Sequence, residues 1–211
     1  MPTYLEQSLR KLEEFEGSVP WMYRDTVGKV TVAVGLMLPD HEAACKLPFL
    51  LEGRPATASE IAGEYARVDG MPMGRPALFY RGKGRPELAE QTVKALLSEV
   101  VEGIESHLRR HFAGYDQLPD GAKMALIDMT YNLGIDGLLG KFPKFVSAIR
   151  SGNFAQAARD SFRHGPNAAR NEWTRAILAG GLLDKVVAAE ETVLKRIGYG
   201  LVGMLASWFG R

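Results

Sequence analysis

Three residues in the first part of the chain combine types and intervals suited to acid–base chemistry: Glu16, Asp25 and Thr31. Glu16 continues the helical stripe of Leu5, Leu9 and Leu12 and stands directly before Gly17, a helix stop. An apolar face disfavours the charged form of a carboxyl group, and the partial negative charge at a helix C-terminus opposes ionisation further. Glu16 is therefore expected to hold a proton. Asp25 falls in a turn with Thr26 and Gly28, where a carboxylate is normally solvated and hydrogen-bonded. Two carboxyl groups in unlike settings are the signature of an acid and a base. Thr31 follows on a strand, on the face shared with Ala33 and Gly35; small side chains there leave space for a ligand or a water that its hydroxyl can orient. Each residue also has a plain structural explanation, as a surface carboxylate at a helix end, a turn former and a residue of high β-propensity. Spacing alone leaves both open.

Positioning these groups falls to a helix and a hairpin. Thr3 and Glu6 make a capping-box pattern that starts an amphipathic helix. From Trp21 the pattern changes to a strand, a turn through Asp25-Thr26-Val27-Gly28, and a second strand in which Val30, Val32 and Val34 alternate with Thr31, Ala33 and Gly35. Residues 38–86 hold most of the prolines and read as loop-rich, with one short helix at Ala58 to Val68. A long amphipathic helix carries Leu88, Gln91, Ala95, Val100, Ile104, Leu108 and Phe112 on one stripe. From Asp120 to Leu133 apolar residues face nearly every direction, as in a helix inside a core. Shorter helices are expected around Lys144 to Ile149, Phe154 to Phe162 and Arg170 to Leu178. With strands confined to the N-terminal third, the class is α+β and mainly α.

Composition narrows the function classes. A chain of 211 residues with ordinary apolar content buries a core without covalent staples. Its formal net charge of +1 gives no global field toward nucleic acid. Cys45 is the only cysteine, which excludes an intramolecular disulfide and a thiolate cluster. The first residues lack the cationic start and apolar run of a secretory signal, so conventional export is not expected. The apolar stretch Ile197 to Phe209 is shorter than the roughly 20 residues that span a bilayer.

Three segments resemble one family. Glu16-Gly17 followed by Tyr23-Arg-Asp25-Thr26-x-Gly28-x-x-Thr31-Val-Ala-Val-Gly35 is similar to the active-site segment of phage-type lysozymes, glycoside hydrolase family 24. There a Glu, an Asp or Cys, and a Thr follow one another at the intervals seen from Glu16 to Asp25 to Thr31. Ala125-Leu-Ile-Asp128-Met-Thr-Tyr131-Asn132-Leu-Gly134 is similar to that family's central buried helix. More weakly, Gly165-Pro-Asn167-Ala-Ala-Arg170-Asn-Glu172-Trp173 resembles the segment whose arginine pairs with the catalytic glutamate. The resemblance covers residues 4–37 and about 88–178. Departures from it are Ala33-Val-Gly35-Leu36, where many relatives have Gly-x-Gly-His, and Asp128, where the best-known ones carry Asn.

The resemblance implies a two-lobed lysozyme-like domain over 1–211, with the N-terminal helix, hairpin and insert at 1–86, a bridging helix at 87–112, a helical lobe at 113–181 and a helical apolar tail at 182–211. It implies hydrolysis of the β-1,4 bond between N-acetylmuramic acid and N-acetylglucosamine, with Glu16 as acid and Asp25, helped by Thr31, activating water. That is an inverting geometry, in which carboxyl groups stand roughly 6.5 to 9.5 Å apart. Tyr23, Asp128, Asn132 and Arg170 are the expected substrate-binding or supporting residues, with a sugar contact and a buried structural pair both open for Asp128 and Asn132. Trp21 and Tyr23 either stack on sugars or pack in the core. No metal or cofactor is implied, nucleic acid is not an expected partner, and a monomer is expected. A lytic transglycosylase and a catalytically inactive wall-binding or virion module stay open as alternatives. Because peptidoglycan lies outside the cytoplasm, delivery would fall to a phage holin or to a secretion machine; an injected effector would bring a cognate immunity protein. The insert's cationic sequences, 70–76 and 81–86, read as a mobile stretch, either a solvated loop without function or one that rims the site or touches the anionic wall, and the tail is expected to pack on the helical lobe or lie on a membrane surface.

Overall fold

A computed structural model of the chain describes residues 2–180. The fold is α+β and mainly α, in two compact units: residues 9–103, and the first eight residues together with the chain from Ile104 onward. The chain passes between units inside two helices, α1 (Tyr4–Glu16) after Ser8 and α4 (Glu90–His111) after Gly103.

In the 9–103 unit the strands are β1 (Val19–Arg24), β2 (Val30–Ala33), β3 (Leu36–Met37), β4 (Phe49–Leu51), β5 (Arg54–Pro55) and β6 (Glu87–Leu88), in the order β3-β2-β1-β6-β4-β5. Helices α2 (His41–Cys45) and α3 (Ala58–Asp69) lie between them in sequence, and α3 contacts β1 and β2. Met22, Val30, Val32, Phe49, Ile61, Val68, Tyr80 and Leu88 form the core, each at most 4% exposed. Burying a residue such as Val32 contributes about 1.5 to 3 kcal/mol, enough that the register Tyr23↔Thr31, Arg24↔Val30 is strongly specified.

The N-terminal capping box is present, with Thr3 N donating to Glu6 Oε2 at 2.7 Å and Glu6 N to Thr3 Oγ1 at 3.2 Å. The helix expected at Ala58 to Val68 is α3, and the loop-rich segment 38–86 also supplies α2, β4 and β5, with its loops tied down. Tyr80, fully buried, donates its hydroxyl to Pro72 O at 2.7 Å. The buried Glu64 takes Arg67 at 2.6 and 2.9 Å. Strands also extend past the N-terminal third, because β6 pairs with both β1 and β4. The alternation expected of β2 is absent: Val30 to Ala33 are all buried, and the strand ends where Ala33 turns to φ +59°.

In the other unit, α5 (Asp120–Lys141) is buried at every position from Gly121 to Thr130 and breaks at Gly134, where φ is +70°. Helices α6 (Pro143–Arg150) and α7 (Phe154–Asp160) pack on one another, and a further helix, α8, runs from 168 to 180. The expected tail, 182–211, lies outside the described residues.

Candidate active site

Glu16 is the last residue of α1, and Gly17 at φ +74° supplies the left-handed residue that ends it, donating its N–H to Glu13 O at 3.0 Å. Glu16 is exposed. Its expected burial on the apolar stripe is thus corrected: Leu12 is the last deeply buried position of that stripe, and the helix ends before the stripe's next member is covered.

Asp25 opens the hairpin turn. Its backbone N–H donates to Lys29 O at 2.9 Å, and its Oδ1 accepts from Val27 N at 3.0 Å and Lys29 N at 2.7 Å. This Asx-type turn fixes the side chain; Gly28 at φ +82° completes it. Among the described residues Oδ2 of Asp25 has no hydrogen-bond donor, and the side chain is half-buried. One oxygen is an anchor and the other stays open for chemistry.

Thr31 is 3% exposed and donates its hydroxyl to Lys29 O at 3.2 Å. Its single proton is thereby committed, so toward any water its oxygen can only accept. The room expected beside Ala33 and Gly35 is not formed as a continuous strand face, since Ala33 ends β2 and Gly35 lies in the turn that follows it.

Tyr23 connects the three. It pairs with Thr31 across the hairpin, and its phenol is pushed above the ordinary range, chiefly by burial and then by the negative charges of Asp25 and Glu16. Both carboxylates therefore act on one phenol. Trp21, which the sequence left between stacking and packing, donates its indole N–H to Ala77 O at 2.8 Å and lies under the Arg81 guanidinium, 4.4 Å from the ring centroid.

The insert braces this turn, a role that sequence reasoning missed. Arg24 donates to Gly28 O at 3.1 Å and Met71 O at 2.6 Å, and Gly74 N donates to Asp25 O at 3.3 Å. A Cβ on Gly28 would stand 3.2 Å from Met73 Sδ. The only signal available in the sequence was Arg24 itself, an arginine beside a turn with unsatisfied carbonyls.

Asp128 and Asn132 do not act together. Asp128 is 1% exposed; Arg170 Nε reaches its Oδ1 at 2.7 Å, while Arg163 Nη2 and Thr174 Oγ1 reach Oδ2 at 2.6 and 2.9 Å. A carboxylate so occupied has no capacity for a sugar, and the substrate-binding expectation for Asp128 is corrected to an anchor holding α8 on α5. Asn132, one turn on, is exposed. Arg170 belongs to the same anchor, 5% exposed.

Neither a protein-family model nor a curated protein sequence matches this chain.

Proposed function

We propose that the protein is a muramidase that hydrolyses the glycan strands of bacterial peptidoglycan with inversion. The observation that carries the proposal is the hydrogen-bond state of the hairpin: Asp25 offers a carboxylate oxygen with no donor among the described residues, and Thr31 has already given its proton to Lys29 O. Both are acceptors only. A water held by them donates both hydrogens to the protein and turns its lone pair outward, toward the sugar's anomeric carbon. Glu16 donates its proton to the glycosidic oxygen as the bond to that oxygen breaks. Water attacks the opposite face, and its proton passes to Asp25. In this reading Tyr23, which pairs with Thr31 across the hairpin, holds the sugar.

The resemblance of the hairpin to glycoside hydrolase family 24 supports this reading, as does the agreement between that segment's motif and the elements that carry it. The setting is the cell wall, reached with a phage holin or a secretion machine; an effector of the second kind is neutralised in its producer by an immunity protein.

Mass spectrometry of purified peptidoglycan digested with the wild type, Glu16→Gln and Asp25→Ala tests the proposal. Reducing N-acetylmuramic acid ends, lost in both variants, are expected. Anhydro ends would assign a lytic transglycosylase, and no release by the wild type would leave a wall-binding module.

A further inference from the structure

Two thioethers among the described residues stand open to solvent, those of Met37 and Met73, at 51% and 59% exposure. Met22, Met124 and Met129 are buried, and Met71 is half-buried, its Sδ accepting from Arg67 Nη1 at 2.9 Å. A dissolved oxidant therefore meets Met37 and Met73 first. Met73 lies against the Asp25 turn. Its Sδ is 3.2 Å from the point that a Cβ on Gly28 would occupy, and Nη2 of Arg24 is 3.4 Å from the same point. Thioether and guanidinium thus border the space left by the missing side chain of Gly28.

The guanidinium has a donor to spare there. Nε of Arg24 is bonded to Gly28 O and Nη1 to Met71 O, whereas Nη2 faces Asp69 Oδ1 at 3.9 Å, beyond hydrogen-bond length. The thioether sulfur, a weak acceptor, leaves that donor unused. Oxidation by a hydroperoxide turns the sulfur into a polar sulfoxide. The S–O bond forms as the peroxide O–O bond breaks; the sulfur gives up two electrons, and the remainder of the peroxide leaves as water or an alcohol with its proton.

We propose that Met73 is an oxidation site whose product tightens the Asp25 turn, the sulfoxide oxygen accepting a charge-assisted hydrogen bond from Arg24 Nη2. Arg24 then ties the turn to the insert through three bonds in place of two. The added bond also ends on the residue before Gly74, whose N–H already donates to Asp25 O, so strap and turn are drawn together at adjacent positions. Neither the oxidation nor the tightening draws on the hydrolytic reaction.

Wild type, Met73→Leu, Met37→Leu and Arg24→Gln, each before and after treatment with hydrogen peroxide, are compared by peptide mass mapping and by amide exchange of Val27 and Lys29, whose N–H groups Asp25 Oδ1 holds. Oxidised wild type is expected to carry one added oxygen on Met73 and to exchange these amides about threefold more slowly than before treatment. Methionine sulfoxide reductases reverse the slowing, Met37→Leu keeps it, and Met73→Leu and Arg24→Gln lose it. A Met73 left unoxidised while Met37 reacts, exchange that is unchanged or faster, or slowing that survives Met73→Leu or Arg24→Gln overturns the proposal.

Discussion

Oδ1 of Asp25 is spent on the turn that holds it, so the chemistry proposed for this residue falls to its other oxygen. Asp25→Asn keeps the acceptor that anchors the turn and removes the base; release of reducing ends is expected to fall by about 10² to 10⁴ while the fold persists, as circular dichroism would report. Thr31→Val is a sharper probe. It keeps the buried shape but deletes the acceptor, and kcat is expected to drop by roughly tenfold to hundredfold, the range of one lost hydrogen bond, with KM little changed. An unaltered kcat would remove Thr31 from the mechanism. At this scale the intervals among Glu16, Asp25 and Thr31 were legible, because they depend on residues in one local segment. Asp128 was not: its partners Arg163, Arg170 and Thr174 lie 35, 42 and 46 residues away in sequence. A charge on an otherwise apolar helix did announce that some partner must exist, and nothing in the helix could say which.

Elements show the same division. Helices α1 and α4 follow from periodicity over many residues, α5 from apolar residues on nearly every side, and the capping boxes of α1 and α3 are written in four-residue patterns. Strands β3, β5 and β6 are two residues each, too short for alternation to register; β3 and β5 pair with the strands just before them, whereas β6 exists because β1 and β4, distant in sequence, supply its hydrogen bonds. The brace between the insert and the hairpin is also a product of such pairing. Arg24→Ala removes the donors that tie Gly28 O to Met71 O, and the Asp25 turn should sample more conformations. A kcat about tenfold lower with KM nearly constant is expected; a matching loss in both, or none, would make Arg24 a purely structural residue.

For the whole molecule, two buried clusters set the response to mutation and to pH. Asp128→Ala would delete the carboxylate that Arg163, Arg170 and Thr174 share, and urea unfolding is expected to show a loss of about 3 to 5 kcal/mol. The second cluster is Glu105 with Tyr4 and Tyr115, whose hydroxyls donate to it at 2.7 and 3.0 Å. Burial, with hydrogen bonding and charge from Glu105, pushes Tyr4 up to about 12 and Tyr115 further. Their phenols stay protonated in the folded chain while the unfolded chain loses those protons from about pH 10. The stability they contribute is therefore fully present below pH 10 and lost as pH climbs through the folded values. Melting temperatures from pH 9 to 12 should fall less steeply in Tyr4→Phe/Tyr115→Phe than in the wild type. Tyr4 and Glu105 also impose an order of events during synthesis. Residues 9–103 emerge from the ribosome as one uninterrupted stretch, with Glu16, Asp25 and Thr31 all inside it, whereas the opening turn of α1 must wait until more than a hundred residues have been added before Glu105 arrives. The residues of the proposed chemistry are therefore born before the contact that settles the opening turn of α1 can form.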